Sequence, residues 1–188
     1  MTSMKAAVWT ATDQVEVTDL PMPAVPEGWA LVKVAYNGIC GTDLAILHGK
    51  HPRACAPLVM GHEISGWVER AGETGPAAGT QVVAEPLISC GQCRSCKNGL
   101  THVCRQLGLY GIDSPGGMAQ YVALPPEVLH TVPDGVDPRT ATLAEPLAVL
   151  AGNPGPHRIR RAGRLRAVPR FRRTRRRHAC SSCGRARR

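Results

Sequence analysis

The chain has 188 residues, 43% hydrophobic and only 4% aromatic, with a formal charge of +9. That is room for one ordinary domain and not two, and no run of eighteen or more apolar residues is present to cross a membrane as a helix. Residues 1–18 lack the apolar core of a secretory signal, so a reducing, cytoplasmic compartment is expected.

Charge is unevenly spread. Residues 1–150 carry nine Lys and Arg against all fourteen Asp and Glu, a net of −5, whereas residues 151–188 carry fourteen Arg and no acid. An ordinary acidic domain, residues 1–150, is therefore followed by a very basic tail.

Lys5 to Trp9 and Val15 to Asp19 are short runs of β-formers separated by Thr10-Ala11-Thr12-Asp13, the pattern of a hairpin. Pro21, Pro23 and Pro26 interrupt regular pairing until Trp29. Leu31, Lys33 and Ala35 then alternate with Val32, Val34 and Tyr36, which predicts a strand with one face buried. Gly38-Ile39-Cys40-Gly41-Thr42-Asp43 follows and leads into a short helical pattern through Leu47, with Asp43 placed to cap it. Nineteen residues further on stands His62, within Gly61-His62-Glu63-Ile64-Ser65-Gly66.

A thiolate, an imidazole and carboxylates from separate segments are the donors of an open catalytic zinc site, which keeps one position for water or substrate. Read singly, Cys40 also suits a small buried hydrophobe and His62-Glu63 an ordinary turn pair. His48 and His51 are candidates for a proton relay to solvent, or are simply solvated loop histidines.

Cys90, Cys93, Cys96 and Cys104 form a C-x2-C-x2-C-x7-C array with almost nothing apolar inside it. Two-residue gaps let the backbone turn so that successive sulfurs converge on one ion, as in closed structural zinc sites. Gly91 and Gly99 supply turns, while Arg94 and Lys97 offset part of the thiolate charge. A pair of disulfides is the alternative, but such short loops pair awkwardly and no secretory signal precedes them. A zinc ion here is worth on the order of 10 kcal/mol or more, enough to fix a lobe with no core of its own.

Gly116 to Val122 reads as a glycine turn feeding a strand, and Val128 to Val132 as a further strand stopped by Pro133-Asp134-Gly135. Asp137-Pro138 then opens a helix predicted to run through Ala148, with Glu145 inside it.

The run Val83 to Cys90, with Gly38 to Asp43, Gly61 to Gly66, Trp67 to Gly72 and Leu143 to Val149, resembles zinc-dependent medium-chain alcohol and polyol dehydrogenases. The likeness is to their sorbitol, butanediol and threonine dehydrogenase branch, and it covers about residues 4–150. Gly75 stands where a valine is usual, and Thr80-Gln81 replace an acidic-basic pair. The resemblance implies a mainly β fold with short helices: a chaperonin-10-like, partly open β-barrel carrying a structural-zinc lobe at residues 86–106.

It also implies two zinc ions per chain, a structural one on Cys90, Cys93, Cys96 and Cys104 and a catalytic one on Cys40, His62 and Glu63. Thr42 matches the hydroxyl that relays the substrate proton, and Asp43 the carboxylate that orients the histidine. Glu145 matches a glutamate that approaches the catalytic zinc or its water, although a helix-borne glutamate is commonly just solvated. The implied activity is NAD(P)-linked oxidation of a secondary alcohol or polyol, by zinc-alkoxide formation and hydride transfer. The expected partner is that small molecule, with no membrane, and with oligomeric state left open.

In this family a dinucleotide-binding βαβ unit should follow, yet no Gly-x-Gly occurs anywhere in the chain. NAD(P) is thus expected for the family without a binding domain here, and the catalytic domain reads as incomplete, truncated and inactive alone. A zinc-binding remnant without turnover is the alternative. From Gly152 onward, Arg, Ala, Gly and Pro dominate, a composition expected to stay disordered because it cannot bury enough apolar area to offset its ordering entropy. Nucleic-acid binding is a further alternative for this tail. Its lack of lysine favours a GC-rich coding sequence read out of frame. Cys180 and Cys183 form an isolated C-x2-C pair.

Overall fold

A computed structural model of the chain describes residues 3–151. The expectations for the arginine-rich tail and for Cys180 and Cys183 fall outside the described residues.

The predicted hairpin is β1 (Ser3–Ala11) and β2 (Gln14–Pro21), paired antiparallel with Lys5 opposite Asp19 and Trp9 opposite Val15. Asp13 turns it with φ +61°, a left-handed conformation that aspartate tolerates better than most side chains. After the proline run comes β3 (Ala30–Gly38), which gives way to α1 (Gly41–Leu47). The chain then returns through β4 (Leu58–Val59) and β5 (Glu63–Arg70), followed by β6 (Gln81–Ala84). A lobe with the ribbon β7 (Leu87–Ile88) and β8 (Gly108–Leu109) encloses the short helix α2 (Arg94–Lys97). β9 (Tyr121–Leu124), β10 (Leu129–Thr131), α3 (Pro138–Ala141) and α4 (Ala144–Ala151) complete the described residues.

Two antiparallel sheets form the barrel, one in the order β2-β1-β4 and one in the order β10-β6-β5-β3-β9. The larger sheet buries Ala30 and Val32 of β3, Val68 of β5, Val82 of β6, and Val122 and Leu124 of β9. Each fully buried Val or Leu contributes roughly 1.5–3 kcal/mol. A second apolar cluster, with Trp9, Ile46, Leu58, Met60 and Ile112, seats α1 against the smaller sheet. Among the described residues, no helix is long and apolar enough to cross a membrane.

The structure departs from the sequence reading at Asp43 and in the last helix, and it interrupts the alternation of β3. Val32 is buried, yet Tyr36, four residues on, is exposed. The β3–β5 register shifts between Val34 and Tyr36, so a bulge reverses the alternation there. Asp43 is not the cap of α1: Cys40 is, and Asp43 sits three residues in. The helix expected from Asp137 to Ala148 is broken into α3 and α4. Pro146 lacks an N–H, and its ring would clash with the carbonyl of Thr142 in a continuous helix, whereas in the first turn of a new helix it is tolerated.

Candidate metal centres

β3 and β5 bring one donor cluster together. Their register sets Gly38 opposite Glu63, so Cys40, two residues past Gly38, meets His62, one residue before Glu63. A Cβ on Gly38 would overlap the Glu63 carboxylate, so glycine lets that carboxylate keep this position. Cys40, His62 and Glu63 each offer a ligand atom, and these atoms all lie within 4.8 Å of one another. His62 and Glu63 are buried, while Cys40 is partly exposed.

Asp43 links the two segments. Its Oδ2 accepts the Cys40 N–H at 2.8 Å, closing the first turn of α1, where the helix dipole also favours a carboxylate. Its Oδ1 lies 3.9 Å from His62 Nδ1, and both atoms are buried without a hydrogen-bond partner. Such orphaned atoms in a core are costly unless something nearby offsets them. A cation held by the other nitrogen of His62 would do so, by making Nδ1–H a stronger donor toward the carboxylate. The donors and these orphaned atoms therefore fit a divalent metal.

Thr42 Oγ1 lies 3.7 Å from Cys40 Sγ, beside the cluster. Glu145, in the first turn of α4, is half-buried and stands within the electrostatic reach of His62 and Glu63, outside the three-residue cluster. Burial raises its pKa above the ordinary carboxylate value; His62 opposes that shift and Glu63 adds to it. α4 is held there because it packs on β5 and β6, while Ser65 of β5 donates to the Pro138 carbonyl of α3 at 2.6 Å.

The two relay histidines are not brought to this cluster. His48 ends α1, half-exposed, with Nδ1 2.5 Å from Asp13 Oδ1 in the β1–β2 turn. His51 Nδ1 accepts from the backbone N–H groups of Arg53 and Ala54, at 3.4 and 3.2 Å. Burial, and then the Arg53 guanidinium, lower its pKa, with Asp113 acting against them.

The second cluster is made of sulfur alone. Cys90, Cys93, Cys96 and Cys104 are free thiols whose sulfurs lie within 4.8 Å of one another. Two of the separations are 3.5 Å, for Cys93 to Cys96, and 4.0 Å, for Cys90 to Cys96. Four sulfurs at about 2.3 Å from a tetrahedral zinc would stand roughly 3.8 Å apart. A disulfide would need about 2.05 Å, so the disulfide alternative does not describe this lobe.

Backbone N–H groups point into the cage. Cys104 Sγ accepts from Cys90 N and Gln106 N, both at 3.3 Å, and Cys90 Sγ accepts from Cys93 N at 3.4 Å. Backbone hydrogen bonds, first from Arg105 and then from Cys96, draw the Cys93 thiol down to about 6. Burial, then the Cys93 and Cys104 thiols, push Cys96 up to about 11. The protein alone thus favours some thiolates at the expense of another, a conflict that a shared dication removes. Neither α2 nor the 3-10 turn at Thr101–Val103 buries a residue, so the lobe has no apolar core to replace such an ion.

One side chain at the first cluster was missed in the sequence reading. Asn37, next to last in β3, has a buried, unpaired Oδ1 against Gly61 and Gly117, and a lone asparagine carries no sequence signal for that.

Among the described residues, antiparallel strands closed around an apolar core, with donors gathered where β3 gives way to α1, are the architecture of a GroES-like barrel. The match over residues 26–134, more than half the chain, is to the alcohol dehydrogenase GroES-like domain, and the chain belongs to that family. It is 40% identical over 167 residues to the 2-dehydro-3-deoxy-L-galactonate 5-dehydrogenase of Pseudoalteromonas atlantica, covering 87% of this chain and 47% of that protein.

Among solved structures, 2R,3R-butanediol dehydrogenase from Bacillus subtilis is 31% identical with a TM-score of 0.70, over 78% of this chain and 45% of that one. A candidate zinc-binding dehydrogenase from Sinorhizobium meliloti 1021, bound to NADP, is 37% identical with a TM-score of 0.73, over 79% and 44%. The chain spans about half the length of the curated relatives it matches.

Proposed function

We propose that this chain is the metal-binding catalytic portion of an NAD(P)-linked dehydrogenase of small alcohols or polyols. In this reading it carries two zinc ions, one on Cys40, His62 and Glu63 and one on Cys90, Cys93, Cys96 and Cys104. The observation that carries it is the convergence of a thiol, an imidazole and a carboxylate within 4.8 Å beside a buried carboxylate. When bound at the first site, zinc supplies a Lewis acid that acidifies a coordinated hydroxyl.

The chain's own residues do the rest. His62, whose Nδ1 lies 3.9 Å from Asp43 Oδ1, would hold the ion through its other ring nitrogen, with the Asp43 carboxylate placed to favour the proton on Nδ1. The Thr42 hydroxyl, 3.7 Å from the Cys40 sulfur, takes the substrate proton and hands it outward. His48 lies six residues further along α1, about 9 Å along the axis at 1.5 Å per residue, so it is not a direct partner of Thr42. Its place in the proposed path is at the solvent end, reached through water. Glu145, whose affinity for a proton burial increases, is the second acid beside Glu63 and can hold a proton there.

Hydride transfer needs a carrier. Every strand ladder among the described residues is antiparallel, whereas a dinucleotide-binding βαβ unit is built on parallel strands. NAD(P) is therefore proposed as the acceptor on the strength of the NADP-bound relative, with no site for it in residues 3–151. The sugar-acid and butanediol relatives support a hydroxylated small-molecule substrate.

Elemental analysis tests the reading. Two zinc ions per chain are expected, falling to one in Cys40→Ser, and mixing the chain with secondary alcohols or polyols and NAD(P)+ is expected to yield no NAD(P)H. A folded, metal-free protein would overturn the metal assignment. Zinc-dependent reduction of NAD(P)+ by this chain would overturn the placing of the hydride step outside it.

A further inference from the structure

Asn37 stands three residues before Cys40, and Gly61 one residue before His62. Asn37 Nδ2 donates to the Gly38 carbonyl at 2.5 Å, which fixes the orientation of the amide, because only its nitrogen can face a carbonyl oxygen. Its Oδ1 is then buried without a partner. The amide lies against Gly61, where an added Cβ would come 2.5 Å from Nδ2, 2.7 Å from Oδ1 and 2.8 Å from Cγ. On another side lies Gly117, whose added Cβ would come 2.5 Å from Oδ1.

These two glycines are themselves joined, since Gly117 N donates to the Gly61 carbonyl at 2.9 Å. Gly61 has φ +94°, a conformation that side chains avoid. The Asn37 carboxamide thus fills a slot that exists only because both neighbours lack a Cβ. It adds a side-chain contact, beside the Gly38–Glu63 strand pairing and the Asp43 carboxylate, between the end of β3, which leads to Cys40, and the turn that delivers His62 and Glu63.

We propose that Asn37 is a positioning residue for the mixed metal site. Its carboxamide, wedged between Gly61 and Gly117, holds the His62-Glu63 segment at a fixed separation from the strand that carries Cys40. A buried oxygen without a hydrogen bond is retained because the wedge, not that oxygen's own bonding, is what the site uses. The inference rests on the reading that Cys40, His62 and Glu63 bind a cation. Removing the wedge leaves the Gly61 turn, one residue before His62, held by the Gly38–Glu63 pairing and the Gly117 N–H alone on that side, and glycine has the backbone freedom to let His62 drift from its place.

The test is a titration of the purified chain with Co(II) against a competing chelator. The four-thiolate site and the mixed site are told apart by their absorption, because thiolate charge transfer grows with the number of sulfurs. Asn37→Ala is expected to weaken the mixed site about 10- to 100-fold, the range usual for residues that support metal ligands, and to leave the sulfur site unchanged. Asn37→Asp keeps the volume but turns an oxygen toward the Gly38 carbonyl, and is expected to weaken the same site.

A packing role alone would lower the melting temperature of Asn37→Ala without moving its cobalt affinity, and that result overturns the inference. Should Asn37→Ala fail to fold, as judged by loss of the sulfur-site spectrum, the isosteric Asn37→Asp decides by the same criterion. A wild-type chain that takes two ions, with folded variants of unchanged affinity, overturns this inference alone. A wild-type chain that takes only the sulfur-bound ion overturns the metal reading, and this inference with it.

Discussion

Asp43 Oδ1 lies 3.9 Å from His62 Nδ1 in the interior, while the other oxygen of the same carboxylate holds the Cys40 backbone N–H at 2.8 Å. One side chain therefore touches the supports of two donors that are 22 positions apart in sequence, Cys40 and His62. Asp43→Ala removes both links. Loss of the bond that closes the first turn of α1 should cost about 1 kcal/mol of stability. Loss of the partner of His62 should weaken zinc at the mixed site about 10- to 100-fold. Asp43→Asn keeps an acceptor for the Cys40 N–H and should separate the two effects, retaining most of the stability while still losing metal affinity. Urea unfolding and chelator competition measure the two quantities independently.

The sulfur cage makes a different demand, because its lobe buries no residue in α2 or in the 3-10 turn after it. Cys93→Ser removes one of four donors, and the expected outcome is one zinc fewer per chain. Residues 86–106 should then become sensitive to protease and lose amide protection. The larger sheet, whose core of Val32, Val68, Val82 and Leu124 meets the lobe only through the partly buried Ile88, should keep its protection. Hydrogen exchange with fragment analysis distinguishes this from unfolding of the whole barrel.

Tyr110 connects the lobe to the barrel core and gives the fold an alkaline limit. Burial, helped by the charge of Glu127, raises its pKa from 10 to about 12. Between those values the unfolded chain has released the phenolic proton and the folded chain still holds it, so stability falls as pH rises. Below pH 10 both states are protonated and the group contributes no pH dependence. Unfolding curves for wild type and Tyr110→Phe should run parallel below pH 10 and converge or cross between pH 10 and 12, where only wild type loses this contribution. Parallel curves throughout that window would show that Tyr110 is not the titrating group.

What could be read from the chain beforehand divides along sequence distance. The cage was legible because Cys90, Cys93 and Cys96 are spaced by their own turns, and convergence needs nothing from elsewhere. The donor types of the mixed cluster were also visible, but their meeting depends on the pairing of Gly38 with Glu63, which no local pattern encodes. The face of β3 on which Tyr36 lies could not be read, because a register shift between Val34 and Tyr36 changes the phase of the strand opposite Gly66 of β5. His48 was readable as either a relay group or a solvated histidine, and its contact with Asp13, 35 residues earlier, could not be read from local sequence. Asn37 gave no cue, since its role exists only in the slot formed by Gly61 and Gly117.

Gly38 and Gly41 allow the last relationship to be tested with the smallest possible change, one methyl group placed on either side of Cys40. Neither glycine has a positive φ, so alanine is conformationally permitted at both. At Gly41 an added Cβ meets nothing within 4 Å, and Gly41→Ala should leave metal content unchanged, with stability unchanged or slightly raised by the better helix former. At Gly38 the added Cβ overlaps the Glu63 carboxylate, and Glu63 Cβ and Cδ would lie only 3.0 Å away. The carboxylate must therefore swing out of the cluster or the two strands must part. Strain of this kind costs typically 1–3 kcal/mol, and the swing removes a donor. Gly38→Ala should accordingly lose the zinc of the mixed site and keep the zinc of the cage, going from two ions to one while Gly41→Ala stays at two. Equal zinc content in the two variants would mean that Glu63 is not a ligand and that its approach to Gly38 serves packing alone.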